Sequence, residues 1–304
     1  MGLPGIAAEL ASSQIKRVNQ PLKPLKISVF SKNLHWLSYE EMAAEVAKLG
    51  FDGVDLTVRP GGHVLPENVD RDLPKAVSAL RKHGLDVYMI TTAISSATAP
   101  FTSEILRTAS ALGIRYYRLG WFPYDKGRSA SDNITSFNNT LLALQQLNKQ
   151  YNLHAAYQNH AGESFGSPVI DFAMALQDID PQYVGCQYDI RHATVEGANA
   201  WPIGLNMVKD YIKTINIKDF KWGQVNGKWK EQNVPLGEGM VDFARYLKLL
   251  KSYNFDGPVC IHYEYPLGGA EDGATTISIP RQQVFDAMTK DLNTFKNYLE
   301  KAGF

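Results

Sequence analysis

Val184-Gly185-Cys186-Gln187-Tyr188-Asp189-Ile190-Arg191-His192 is a short apolar run that ends abruptly in Asp-x-x-His. A run of roughly 4–8 such residues, bounded by polar ones, reads as a buried strand. An acid and an imidazole at the carboxyl end of a buried strand make the pattern of a barrel active site. The same spacing also suits a helix cap, because Asp is freely used there. The fold turns on whether other strands bring polar groups to the same end.

Seven further strands can be read on either side of it. Upstream, the sequence predicts strands over 26–31, 51–58, 85–91 and 114–119, and a fifth that opens at His154 and ends in Gln158-Asn159-His160. Downstream, it predicts strands over 212–217 and 258–263. Amphipathic helices are expected between them over 39–49, 73–83, 102–112, 134–151, 168–177, 201–209 and 241–252, and a last one over 281–301. Ser38 is an expected N-cap, and Gly50, Gly84 and Gly113 recur as helix stops before strands. Eight strands alternating with helices argue for a parallel sheet, and a closed (β/α)8 barrel accounts for the count. A doubly wound open sheet would carry a Gly-rich turn after its first strand, and Ser31-Lys32-Asn33-Leu34 is not one. Residues 1–25 read as an N-terminal arm with a short helix near Ile6–Lys16, and 26–304 as a single barrel domain.

Side chains alternate along a strand, so residues two apart share a face. That rule groups Asp55, Thr57 and Arg59; Tyr116 and Arg118; Gln158 and His160; Gln187 and Asp189; Asn216 and Lys218; and Cys260, His262 and Glu264. Each group sits near the carboxyl end of its strand. The bland alternatives are a rim ion pair between Lys218 and Asp219, structural arginines at Arg59 and Arg118, and ordinary loop imidazoles at His160 and His192. Convergence from six strands is the stronger signal. The loop over 220–239 carries Asn226-Gly227 between Trp222 and Trp229, which predicts a tight hairpin whose tryptophans stack on a sugar face or staple the ribbon. Trp36, Trp121 and His63 also follow strands and are candidates for lining a pocket.

Bulk properties exclude some classes. The 304 residues are 44% hydrophobic and 20% charged, which allows a large core. Lys+Arg and Asp+Glu are both 31, so no basic field for nucleic acid exists. No apolar run reaches the roughly 18 residues that span a membrane. Cys186 and Cys260 lie in strand-like runs and are expected to be buried, reduced thiols. Residues 1–25 show neither a basic nor an apolar leader region, which leaves a cytoplasmic or periplasmic location open.

Several stretches resemble the sugar phosphate isomerase/epimerase family, the xylose isomerase-like TIM barrels. They are Gly50-Phe51-Asp52-Gly53-Val54-Asp55-Leu56, Gln158-Asn159-His160, Asp189-x-x-His192, Ile215-Asn216-Ile217-Lys218-Asp219, Leu236-Gly237-Glu238-Gly239 and Gly257-Pro258-Val259-Cys260-Ile261-His262. The resemblance runs from about Lys26 to the end and implies a TIM barrel with an extended hairpin loop after its seventh strand. It also implies a divalent metal (Mn, Mg or Zn) held by Glu, Asp, His and Glu from the last four strands. Those positions read Gln158, Asp189, Asn216 and His262 here. Hard cations need anionic oxygen, so metal affinity is expected to fall.

An amide cannot accept a proton, so Gln158 cannot be a general base. The catalytic candidates are His262, Glu264, His160, His192 and Lys218. Those for substrate binding are Arg59, His63, Arg118, Trp121, Gln158, Asn159, Trp222 and Trp229. The expected function is a sugar or keto-sugar isomerase or epimerase that abstracts a proton next to a carbonyl. The alternatives are a lyase acting on 3-keto-glycosides, a non-catalytic sugar-binding barrel, and a nuclease like endonuclease IV. The last is disfavoured by the zero net charge. The expected partner is a small sugar, with neither nucleic acid nor membrane; an oligomer is compatible with the chain.

Overall fold

The structure, a computed structural model, describes residues 24–304. The helix expected near Ile6–Lys16 lies outside the described residues. The chain begins with β1 (Ile27–Phe30), α1 (Tyr39–Leu49), β2 (Gly53–Val58), α2 (Val69–Lys82), β3 (Asp86–Thr92), α3 (Thr102–Ala111) and β4 (Tyr116–Arg118). It continues through α4 (Ala130–Tyr151), β5 (His154–Gln158), α5 (Val169–Ala175), β6 (Val184–Asp189), α6 (Ile190–Gly197), α7 (Trp201–Val208) and β7 (Ile212–Ile217). A hairpin of β8 (Asp219–Val225) and β9 (Lys228–Val234) precedes α8 (Phe243–Ser252), β10 (Val259–Ile261) and α9 (Arg281–Ala302).

Eight of these strands close into one parallel barrel in the order β1, β10, β7, β6, β5, β4, β3, β2. Closure is made by β1 on β10, with Ile27 opposite Val259 and Val29 opposite Ile261. The register between β6 and β7 slips once, between Cys186 and Gln187, after which Asp189 stands opposite Asn216. That slip sits beside Gly185, where a Cβ would lie 2.1 Å from the Tyr211 carbonyl oxygen, so only glycine lets β7 come this close.

Local chemistry explains the ends. Ser38 and Glu41 form a reciprocal capping box on α1, and Gly50 ends it in the left-handed region at φ 84°. Helix α2 starts four residues earlier than expected, at Val69 rather than Leu73, with Asp70 and Asp72 in its first turn. Pro74 lies inside the helix, not at the first position where proline is most at home. Helix α6 was not predicted: Asp189 is its N-cap, and its side chain accepts from the His192 N–H.

Outward strand residues such as Val54, Tyr117, Tyr157, Tyr188 and Ile217 pack under the helices in one continuous core. Inside the barrel, Phe30, Met89, Cys260 and Tyr116 form a small apolar floor. Both cysteines are free and buried. Trp36, expected near a pocket, is buried against Phe285 instead. Among the described residues no helix is long and apolar enough to cross a membrane.

Candidate active site

Asp189 is the hub of the barrel mouth. It ends β6 with no exposed surface, and three N–H groups point at its carboxylate. Oδ2 accepts from Gln158 Nε2 at 2.7 Å and lies 3.3 Å from Lys218 Nζ, while Oδ1 accepts from the His192 backbone at 3.2 Å. Gln158 is spent on both sides, since its oxygen accepts from Arg118 Nη1 at 2.7 Å. Asn159 clamps the β6 backbone, donating to the Asp189 carbonyl at 2.9 Å and accepting from its N–H at 2.8 Å. Its amide therefore fixes the strand.

Lys218 directly follows β7, the strand between β6 and β10. Its side chain is 3% exposed, and its ammonium donates to Glu264 Oε1 at 2.8 Å as well as facing Asp189. The alternative rim pair of Lys218 with Asp219 is not formed. Asp219 instead accepts the N–H groups of Phe220, Gly237, Gly239 and Val241 and ties down the base of the hairpin loop. Burial opposes ionisation of Glu264, but the Lys218 ammonium and His262 outweigh it and hold the carboxyl well below its usual range. His262 stacks on Phe30 at 4.3 Å, lies 3.6 Å from Glu264, and leaves both ring nitrogens without a hydrogen-bond partner. Burial pushes it down to about 4, against the pull of Glu264, so it is neutral at pH 7.

A second imidazole pair closes the other side. His160 and His192 lie 3.8 Å apart, and Trp121 stands edge-on to His160 at 4.9 Å. Their tautomers follow from their partners. Arginine can only donate, so His192 Nδ1 accepts from Arg191 Nη1 and its proton is on Nε2, facing Asp189 Oδ2 at 3.8 Å. A carbonyl can only accept, so His160 Nδ1 donates to Ala161 and its lone pair is on Nε2. Burial, then the charge of Lys218, lowers both.

The fourth group is cationic. Arg118 lies over Phe30 at 5.8 Å and over Trp121 at 5.2 Å; Arg59 lies over Phe30 at 5.7 Å. Asp55, fully buried under them, accepts from Thr91 Oγ1 at 2.9 Å and is pushed up by burial to about 6, although Arg118 pulls the other way. His63 packs at 4.8 Å on His35, which is itself bonded to Thr57, at the edge of this group. Trp222 packs on Phe220 and is 41% exposed, and Trp229 is 66% exposed, both out on the hairpin. The structure thus brings Arg59, Arg118, Gln158, His160, Asp189, His192, Lys218, His262 and Glu264 to one mouth. It leaves Trp222 and Trp229 on the ribbon above.

The model of the xylose isomerase-like TIM barrels matches residues 43–278. The chain belongs to this family. Solved barrels of the same fold include a 3-keto-D-glucoside 4-epimerase from E. coli, 15% identical, with a TM-score of 0.65 and coverage of 87% of this chain and 98% of that one. The IOLI protein, solved with a zinc atom, is 15% identical with a TM-score of 0.70 and coverage of 91% and 99%. D-psicose 3-epimerase from Clostridium cellulolyticum H10 is 12% identical with a TM-score of 0.64 and coverage of 90% and 99%. No curated protein matches the chain.

The divalent metal implied by the resemblance does not fit the residues present in this xylose isomerase-like barrel. One carboxylate remains in the set, its oxygens are already taken by N–H donors, and an ammonium stands 3.3 Å from it. The Gln158 oxygen is committed to Arg118. A second group that shares His262 with this set, Asp55, Cys260 and His262, has ligand atoms within 4.8 Å of one another, a set of the kind that suits a softer ion. Asp55 there also faces the positive charges of Arg118 and Arg59.

Sequence reasoning missed Phe30, the ring under His262, Arg59 and Arg118, because an apolar residue on a short strand carries no sign of facing inward. It missed Thr91 for want of a partner that only the β2–β3 register reveals.

Proposed function

We propose that this protein is a sugar or keto-sugar epimerase or isomerase that removes a proton from the carbon next to a carbonyl. One observation carries this reading: His262 is a neutral imidazole with two unpartnered nitrogens at the mouth of the barrel, beside a carboxylate and an ammonium. A neutral imidazole accepts a proton, and Glu264 at 3.6 Å stabilises the imidazolium that results. Negative charge then gathers on the substrate oxygen. Lys218 and Arg118, both buried and fixed by hydrogen bonds, are positioned to receive it without rearrangement. His192 offers an Nε2–H and His160 a free Nε2 on the other wall, one to donate and one to accept at substrate hydroxyls. Solved barrels with this fold that include a 3-keto-D-glucoside 4-epimerase and a D-psicose 3-epimerase support the substrate class.

Gln158 favours a second reading within the same chemistry. Epimerisation returns the proton to the opposite face, and an amide cannot do so. A single base with an N–H donor across the pocket suits β-elimination from a 3-keto-glycoside, in which a leaving group departs after proton removal. Proton–deuterium exchange on a panel of ketoses and 3-keto-glycosides, followed by NMR, tests both. Exchange with inversion supports the epimerase and loss of the aglycone supports the lyase. Tight binding without exchange anywhere in the panel would leave a sugar-binding barrel.

A further inference from the structure

We propose that the ammonium of Lys218 is the resident cation of this barrel, standing where the family resemblance implies a divalent metal, so that the Asp189 site binds no metal ion while Lys218 is in place. This goes beyond the substrate reading and does not depend on it.

The first support is saturation. A hard divalent ion must take lone pairs from carboxylate oxygens. Asp189 Oδ2 already faces Gln158 Nε2 at 2.7 Å and Lys218 Nζ at 3.3 Å, and Oδ1 the His192 N–H at 3.2 Å. The second is charge. Lys218, just past β7, projects between Asp189 on β6 and Glu264 just past β10, the two strands that flank β7 in the barrel. Without it two carboxylates would share a buried space, and like charges so placed repel strongly. With it, and with Arg118 on Gln158, the fixed charges balance. A doubly charged ion added there would meet an ammonium and a guanidinium at close range, where repulsion is weakly screened. The third is ligand type. Asn216, opposite Asp189, offers only a neutral amide and adds no negative charge to hold a hard ion.

The ammonium can also do part of what a metal would do. It carries three donors, and two face Asp189 and Glu264. The third is free for a substrate oxygen. Lys218 thereby fixes a positive charge at the mouth that chelators cannot remove.

The test is Mn²⁺ binding to the intact protein, read by electron paramagnetic resonance and by thermal shift. Wild type is expected to leave the free Mn²⁺ signal and its own Tm unchanged. Lys218→Met, which leaves Asp189 and Glu264 facing each other, is expected to have a lower Tm that Mn²⁺ restores, with loss of the free Mn²⁺ signal at one equivalent. Lys218→Arg keeps the charge and is expected to stay free of Mn²⁺. Binding of one Mn²⁺ by wild type that Asp189→Asn abolishes overturns the proposal, as does a folded Lys218→Met protein that takes up none. Binding that persists in Asp189→Asn lies elsewhere and upholds it. If Lys218→Met does not fold, the wild-type and Asp189→Asn titrations decide alone. No readout uses a sugar, so failure here leaves the substrate reading standing.

Discussion

Replacing His262 with alanine is expected to lower turnover by about 10²–10⁴-fold, the usual contribution of a general base, with the folded state retained by circular dichroism. Full turnover in His262→Ala together with loss of activity in Gln158→Ala would move the chemistry to β5. Gln158→Glu has a different signature. Its new carboxylate would replace the N–H that Asp189 Oδ2 accepts at 2.7 Å, leaving two acids in contact. At least one of the pair then has a folded pKa raised above its unfolded value. Its native form binds the extra proton, so stability is retained in acid and lost as pH rises through the raised value. Urea midpoints measured from pH 4 to 8 should therefore fall for Gln158→Glu relative to wild type. Which of the grouped polar residues share a face was legible in the sequence, because strand alternation fixes it; the inward Phe30 was not. What each one bonds was not. Asp-x-x-His, read as a catalytic pair, is also the geometry of an N-cap, and Asp189 serves the helix and the mouth at once. Arg118 on Gln158 and Lys218 on Glu264 join residues 40 and 46 apart in sequence, and no local pattern encodes such partners.

At the scale of single elements, β6 depends on one glycine. Gly185→Ala would drive a Cβ into the Tyr211 carbonyl and the His154 ring, and β7 would have to shift. A loss of about 1–3 kcal/mol by urea denaturation is expected, typical of overpacking. A neutral outcome would mean that the β6–β7 slip is not held there. The ribbon of β8 and β9 should behave in the opposite way. Asn226 and Gly227 both have positive φ, 51° and 75°, as the tight turn requires, and Trp229 is 66% exposed. Trp229→Ala is expected to leave the Tm nearly unchanged while weakening sugar binding, measured by calorimetry; unchanged affinity would remove the ribbon from substrate contact. Strand and helix order were legible from periodicity and from glycines such as Gly50. Helix α6 was not, because it follows β6 without a break and its eight residues are too few for a clear period.

For the whole molecule, buried histidines set the response to acid. His154 stacks edge-on against Tyr116 on the barrel floor, with Lys213 and Arg115 nearby, and burial pushes it down to about 3 from 6.5. Its folded pKa is depressed, so its neutral form supports stability fully above pH 6.5. That support is lost as pH falls, because the unfolded chain takes up a proton that the native state refuses until about 3. The loss amounts to roughly 3 kcal/mol between pH 6.5 and 4. His154→Asn, whose amide can still donate to the Gln182 carbonyl that Nδ1 meets at 3.1 Å, is expected to flatten the curve. An unchanged slope would place the acid sensitivity elsewhere, His63 and His262 being the next candidates, each at about 4. The closure of β1 on β10 has a consequence for how the molecule is made. Phe30 is among the first described residues to leave the ribosome, long before His262, whose ring it meets at 4.3 Å. At roughly 5–20 residues per second, β1 waits on the order of 10–50 s for its second neighbour. Through that interval its free edge can pair with a strand of another nascent chain. The contact that completes the mouth also ends the time in which a half-made barrel can aggregate.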